Sequence, residues 1–532
     1  MPTPTLLARG VSYLRARNAR NGSTRELDPT ALRDAIVARL PHRSAGSGQF
    51  RWPAIPALLD QYLDILLALF AGLGRSFDEA ETRALRELLA RELNAAFEAS
   101  PYSKLVVEYA TEDPPSTALN YEIKREVITV ADEYDDWVRT RTPPLFGANP
   151  DAKLMALAHA FGAPESVAVL DVGAGTGRNT LPLARAGFQV DAVELAPALV
   201  AVLRQDIGGA GANAQVFEGD ALDPSLAIPT GKYQLVVLAE VVASHFRDQD
   251  QLRQLFERAT TWLAPSGVLL FSAFVATDGY EPDALARQAS QVFWSCLFTR
   301  GELAEASRGL PLRLVSDEST YSFERRHLPK EAWPPTGWFS DWARGRDLFH
   351  LPVGKSPHEL RWLAYRKTAQ PSHARAHWHA VTVTQHIEAP RERVFELAVD
   401  AQRAAELFRG LLPVPGIKSR ELLDGSELVA GGRRRTLWTD TSCTTEEILE
   451  LEAPFRYAYQ WRNELKGPLG LLFLEAESEW MFVPTSTGTL VYWTYRFAPR
   501  HPVLSRVMNI VQGGFDRWMR ASLKSLAGKL AA

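Results

Sequence analysis

The sequence predicts an α/β protein in three parts: a helical N-terminal region at 1–149, a central α/β domain at 150–368 and an α+β domain at 376–532. Three observations carry this. The chain has 532 residues, and domains of about 100–200 residues make that too long for one core. From residue 166 onward, short apolar runs alternate with helical segments of roughly ten to twenty residues, the pattern of a parallel sheet covered on both faces. After 376, strand-like runs follow one another and end in one long amphipathic helix, which describes an antiparallel sheet with a terminal helix.

In the first part, Asp28-Pro29-Thr30 reads as an N-cap with proline at the first helical position, opening a helix at 31–40. Residues 53–73 place Leu58, Leu59, Tyr62, Leu63, Leu66 and Leu69 at helical spacing. Ser76-Phe77-Asp78-Glu79 starts another helix through Phe97, and 122–138 reads as a further one, ended before Thr142-Pro143-Pro144. In the second part, strands are expected at 167–172, 189–193, 214–217, 234–239 and 267–274, with 312–316 and 359–365 as the last two. Between those two, Trp333, Trp338, Phe339, Trp342 and Phe349 form an aromatic-rich stretch that reads either as a lid over a flat ligand or as a loop covering the sheet edge. Gln370-Pro371-Ser372-His373 reads as a linker. Beyond it, Val381, Val383 and Gln385 alternate with Thr382, Thr384 and His386, and Ala389-Pro390 leads into a helix at 393–399. Strand-like runs at 444–451, 456–461, 473–483 and 490–497 precede a helix at 503–530.

Composition narrows the function. The 59 basic and 63 acidic residues leave a net charge of −4, so no global field favours nucleic acid. The two cysteines, Cys296 and Cys443, exclude a disulfide framework and a cysteine-rich zinc site, and no metal site is predicted. Low cysteine use suits a reducing cytoplasm. The best apolar stretch, 65–74, is about half of what a helix needs to cross a bilayer. The segment 1–20 carries Arg9, Arg15, Arg17 and Arg20 without an apolar run after them, and reads as the first turns of a helical domain rather than a secretory signal.

The chemistry-bearing motif is Val169-Leu170-Asp171-Val172-Gly173-Ala174-Gly175-Thr176-Gly177, an apolar strand running into three glycines at alternate positions, followed by a helix. Glycine lets the backbone turn tightly and lets a ligand approach closer than a Cβ allows. The following helix N-terminus offers free N–H groups. A dinucleotide fingerprint would need glycine at 178, where this chain has Arg178, which argues against NAD.

With Glu194 ending the next strand, Gly219-Asp220-Ala221 ending the third and Leu263-Ala264-Pro265-Ser266-Gly267-Val268 further on, residues 130–368 resemble the class I S-adenosyl-L-methionine-dependent methyltransferases, with their Rossmann-like sheet. The resemblance implies a cofactor site formed by Asp171, Gly173, Ala174, Gly175, Gly177, Glu194, Leu195, Asp220, Ala221 and Ala239. In it the glycines pass beside the methionine moiety, Glu194 accepts from the ribose hydroxyls, and Asp220 and the Ala221 N–H take the adenine. Tyr134 and Trp137 would cap the cofactor. The loop Leu238-Ala239-Glu240 to Phe246 would face the transferable methyl, which makes His245 the candidate general base and Glu240 a group that orients cofactor or acceptor. The family's motif for exocyclic amines, Asn or Asp followed by Pro-Pro and an aromatic, is missing, as is a Pro-Cys nucleophile for cytosine. Nucleic-acid bases are therefore disfavoured as acceptors.

Residues 376–532 resemble the START-like polyketide cyclase/dehydrase (SRPBCC) superfamily through Val383-Thr384-Gln385-His386-Ile387-Glu388-Ala389-Pro390-Arg391-Glu392-Arg393-Val394-Phe395, Gly431-Gly432-Arg433, Glu447-Ile448-Leu449 and Phe455-Arg456-Tyr457. This implies a helix-grip fold: a curved antiparallel sheet around the last helix, enclosing an apolar cavity. Trp438, Trp461, Trp480, Trp493 and Trp518 are candidates for its lining, and the basic final helix for its lid. His386, Glu446, Tyr457 and Arg462 are its candidate polar groups. Together the two resemblances imply a cytoplasmic methyltransferase acting on a hydrophobic small molecule, with the C-terminal domain binding or further processing substrate or product. The alternative is a non-enzymatic cofactor-binding carrier or sensor of an apolar ligand.

Overall fold

The computed structural model describes residues 25–38, 40, 44–211, 214–277, 279–368, 379–425, 427–485, 488–501, 504 and 508–531. The expectations for 1–20 and for a linker at 370–373 lie outside the described residues. The chain forms two compact units, Met1–Val130 and Ala131–Ala532.

The first unit is an antiparallel sheet of β1 (Ser47–Pro53), β2 (Lys104–Thr111) and β3 (Leu119–Glu126), in that order, with the helices Leu59–Gly72 and Glu79–Ala99. Asp78 and Glu81 form a capping box at the start of the second helix. Leu63, Leu66, Phe70, Leu85, Leu89 and Leu93 bury themselves against Leu105, Val107 and Ile123. The region is therefore not helical throughout. In particular, the helix expected at 122–138 is corrected: its first part is β3, and a helix occupies Val130–Thr140. Within 122–126 only Ile123 is apolar, and one apolar residue sets no period. Pairing with β2, in which Ile123 lies opposite the buried Val107, decides for the strand.

In the second unit, β4 (Ala168–Val172), β5 (Gln189–Glu194), β6 (Ala214–Glu218), β7 (Tyr233–Leu238) and β8 (Leu263–Ala276) run parallel. With β9 (Leu297–Phe298) beside β8, and β10 (Leu312–Ser319) and β11 (His358–Lys367) completing the edge, the order is β10-β11-β8-β7-β4-β5-β6. The central strands are mostly apolar because both faces are covered. Val169, Val190, Leu235 and Val237 pack on the helix Ala152–Ala160 and on Leu183, while Leu170, Val172, Val236 and Leu238 pack on the helix Gln249–Trp262. The order reverses between β4 and β7, which opens a crevice at their C-terminal ends.

The last sheet is antiparallel, ordered β12-β18-β17-β16-β15-β14-β13. Its strands are β12 (His379–Ile387), β13 (Ile417–Leu422), β14 (Arg433–Trp438), β15 (Cys443–Glu452), β16 (Arg456–Lys466), β17 (Phe473–Thr485) and β18 (Gly488–Pro499). The helix Met508–Ala531 lies on its inner face, burying Phe515, Trp518, Met519, Leu523 and Leu526. Trp438, Trp461, Trp480, Trp493 and Trp518 are fully buried in one aromatic core, with Trp480 and Trp493 stacked at 4.1 Å. The side chain of Arg462 lies outside the described residues.

The outer face of this sheet docks on the parallel-sheet domain. Met481, Val483, Leu490 and Tyr492 join Leu154 and Leu157 in one apolar cluster. Within it Lys153, fully buried, pairs with Glu318 and sits 4.2 Å above the Tyr492 ring, and Thr384 donates to Glu318 at 2.9 Å. Arg313 pairs with Glu477 and Arg366 with Glu450 across the same junction. No helix among the described residues is long and apolar enough to cross a membrane.

Removing one partner of a buried ion pair strands the other charge. Lys153→Met is expected to cost about 3–5 kcal/mol in denaturant unfolding, and Lys153→Met with Glu318→Met to recover most of that loss. Equal destabilisation by the single and double variants would show that the pair does not hold the junction.

Candidate active site

The turn after β4 holds Gly173, Gly175 and Gly177 at φ of 73°, 57° and 92°, the left-handed region that side chains avoid. At Gly173 a Cβ would also meet Val241 Cγ2 at 2.2 Å. The Gly173 and Ala174 N–H groups donate to the Val193 carbonyl, which pins the turn to the end of β5. Asp171 stands behind the turn, buried, and accepts from the Thr180 hydroxyl at 2.6 Å. Burial pushes its carboxyl up to about 6, against the pull of that hydrogen bond and of Arg178.

Glu194, 5% exposed at the end of β5, accepts from the Gly175 N–H at 2.8 Å and from the Ala196 N–H at 2.9 Å. Burial raises its pKa, and these backbone donors oppose the rise. Leu195 beside it is exposed. At the end of β6, the Gly219 N–H donates to the Glu194 carbonyl, and the exposed Asp220 accepts from the Leu222 N–H at 2.8 Å. The Ala221 carbonyl accepts from Arg258. The strand ends thus bring the glycine turn, Glu194, Asp220 and Ala221 along one edge, with Ala239 at the end of β7 across the crevice.

Beyond Ala239, Glu240 adopts φ 66°, strained for a side-chain-bearing residue, and its N–H donates to Ser272. Its carboxylate accepts from Arg178 at 3.1 Å, while Arg178 also binds Asp151 at 2.6 Å. Burial raises Glu240 to about 7, a rise that Arg178 opposes. His245 ends the short helix Val241–His245, with Nε2 2.8 Å from the Tyr134 hydroxyl. Burial lowers it to about 4, so it is a neutral imidazole at neutral pH.

Around His245 the rings of Tyr134, Trp137, Phe146 and Trp294 pack with centroids 5.3–6.1 Å apart. Phe146 lies over Gly175, where a Cβ would be 3.1 Å from its ring. Trp294 is the second strained residue here, at φ 55°, and its carbonyl accepts from Trp342 Nε1 at 2.9 Å. Within the aromatic-rich stretch, Phe339 and Trp342 are buried on Phe274 and Leu360 over the sheet edge. Trp338 lines a cleft of about 460 Å³ with Pro144, Asn149 and Pro335. The sequence reading did not find Arg178 as a bridge, nor Asp151, Phe146 and Trp294. Arg178 signalled itself only as the residue standing where a dinucleotide loop has glycine, and Trp294 gave no local signal.

Residues 169–267 match the family model described as methyltransferase domain, and residues 379–531 match polyketide cyclase / dehydrase and lipid transport. Among solved structures, geranyl diphosphate C-methyltransferase from Streptomyces coelicolor A3(2), with Mg2+, geranyl diphosphate and S-adenosyl-L-homocysteine, is 12% identical over 45% of this chain and 97% of its own, with a TM-score of 0.33. A geranyl diphosphate methyltransferase in complex with SAM is 15% identical over 41% of this chain and 84% of its own, at a TM-score of 0.32. A protein from Thermus thermophilus is 22% identical over 29% of this chain and 97% of its own, at a TM-score of 0.24. None of the curated proteins matches this chain.

Asp171 gives a stability test with a definite sign. Its carboxyl is raised to about 6 in the folded chain from an ordinary value of 3.8, so the folded state holds the proton more tightly than the unfolded one. Stability is then fully present below about 4 and lost as pH rises through about 6, an effect of at most about 3 kcal/mol. The stability of Asp171→Asn relative to the unsubstituted protein should therefore rise between pH 4 and 6 and level off above. A difference that stays flat across that window would remove the burial argument.

Proposed function

We propose that this chain, which carries a methyltransferase domain joined to a polyketide cyclase / dehydrase and lipid transport domain, is an S-adenosyl-L-methionine-dependent methyltransferase of a hydrophobic small molecule, with residues 376–532 binding or further processing substrate or product. The observation that carries the reading is the strand-end constellation at the reversal of the sheet: a glycine turn whose Gly175 N–H is held by the buried Glu194, with Asp220 on the next strand end.

The donor set fits the cofactor. Glu194 and Asp220 are acceptors on adjacent strand ends, suited to ribose hydroxyls and an adenine amino group, and Ala221 adds a backbone N–H. When bound, the cofactor supplies a methyl group on a cationic sulfonium. The rings of Tyr134, Trp137, Phe146 and Trp294 offer faces that attract a cation and exclude water. Alignment is the main task, and positioning can supply about 7–11 kcal/mol.

His245 is the group in position to take a proton from a hydroxyl acceptor. Being neutral at pH 7, it keeps an acceptor lone pair on its ring, whose Nε2 is now engaged with the Tyr134 hydroxyl. Glu240 keeps its carboxylate on Arg178, which sets the corner after β7 and leaves it an orienting role.

Two measurements test this. Glu194→Ala and Asp220→Ala should each weaken S-adenosylmethionine binding at least tenfold by calorimetry, since each loses charge-assisted hydrogen bonds of about 1.5–3 kcal/mol. The melting temperature should hold for the exposed Asp220→Ala and fall for Glu194→Ala, whose buried carboxylate also accepts from the Gly175 and Ala196 N–H groups. Retained affinity in both would sink the site assignment. His245→Ala should lower kcat by about 10²–10⁴-fold with cofactor affinity within a few-fold, and the unsubstituted enzyme should show no titration of this group between pH 6 and 8. An unchanged kcat would leave His245 a packing residue.

A further inference from the structure

We propose that the interior of the C-terminal domain is a receptor for a monoanionic ligand with an aromatic or apolar body, its oxyanion taken by the guanidinium of Arg434. This rests on the reading of that domain as a ligand binder and names the class of ligand. Arg434 and Glu446 lie opposite each other on β14 and β15, and both are 0% exposed. Arg434 shares the buried side of its strand with Thr436 and Trp438, on the face closed by the helix Met508–Ala531.

The two side chains pair through Arg434 Nε and one Glu446 oxygen. That leaves both terminal nitrogens of Arg434 without a hydrogen-bond partner among the described residues, and closed off from solvent. A buried charge in that condition costs several kcal/mol, and a planar fork with two free donor nitrogens matches a carboxylate-like oxyanion.

The surroundings point the same way. Arg420, on β13, reaches the same face and lies 4.9 Å over the Phe408 ring and 5.9 Å over that of Tyr459, while Arg434 lies 4.8 Å over Tyr459 and 5.4 Å over Tyr457. Among the described residues, two guanidiniums face the one Glu446 carboxylate here, which leaves one positive charge uncompensated. The closing helix brings no acid to it, since its Asp516 is held by Arg520 outside the core. The remaining unpartnered groups here are mostly donors: Arg420 Nε, the Tyr457 hydroxyl and the indole N–H groups of Trp461, Trp480 and Trp518. Glu446 Oε1 is the group among them that only accepts, while the Thr436 and Tyr457 hydroxyls can donate or accept. A donor-rich, singly positive interior walled by tryptophan suits an oxygen-bearing aromatic anion and penalises a neutral hydrocarbon.

Calorimetric titration of the full-length protein without S-adenosylmethionine, using 2-naphthoate and its neutral counterpart 2-naphthamide, tests this. The carboxylate is expected to bind at least tenfold tighter than the amide. The double variant Arg434→Met/Glu446→Met should lose that preference while melting at or above the unsubstituted protein, because a buried ion pair exchanged for apolar residues is neutral or stabilising. Should it fail to fold, Arg434→Lys keeps the charge and gives up the fork, and is expected to weaken naphthoate about tenfold and leave naphthamide unchanged. Equal affinities, no binding of either compound, or a variant that keeps the preference overturns the proposal. Release of S-adenosylhomocysteine by the same preparations reads methyl transfer separately, so either reading can fail alone.

Discussion

Arg178 is the tie on which the candidate site depends. It stands directly after the third glycine of the turn, is almost wholly buried, and binds Asp151 on one side and Glu240 on the other. Those partners begin the helix Ala152–Ala160 and end the corner after β7, so one guanidinium fixes the glycine turn against the elements on both sides of the sheet reversal. Asn179 doubles the connection, accepting from the Asp151 N–H and donating to its carboxylate. A buried cation between two carboxylates offsets its own desolvation and sets the geometry of what it joins.

The same helix carries the constraint into the last sheet. Asp151 faces the turn, and Lys153, two residues on, is buried against Glu318, Phe323 and Tyr492 at the junction of the two domains. The first turn of this helix is held by Glu324, whose carboxylate accepts from the Ala152 and Lys153 N–H groups and from the Trp362 indole. The parallel-sheet domain and the helix-grip domain are therefore joined through packed, hydrogen-bonded side chains, with the inner face of the last sheet left to its own helix.

Burial also sets the chemistry of the crevice. Against the aromatic cluster His245 loses its proton, and Glu240 is drawn toward neutrality although Arg178 holds it. Strain collects at the same place: Glu240 and Trp294 both carry positive φ, Glu240 held by its N–H donating to Ser272 and Trp294 by its carbonyl accepting from the Trp342 indole. Such conformations persist only where the rest of the fold over-determines them.

Read alone, the sequence determined the parallel strands, the glycine turn and the strand-end carboxylates, because apolar runs of fixed period and glycines with no steric alternative are local signals. It also determined the class of the last domain, since long β-rich runs ahead of an amphipathic helix have few arrangements. It did not reveal β1, β2, β3, β13 and β14, whose strand character rests on partners tens of residues away or on short polar runs such as Arg433-Arg434-Arg435. Nor did it join Tyr134 to His245, 111 residues apart, or Arg434 to Glu446 inside the last sheet. Those meetings were decided by register and by which face of each strand was buried, and a charged side chain shows its role only once the water around it is gone.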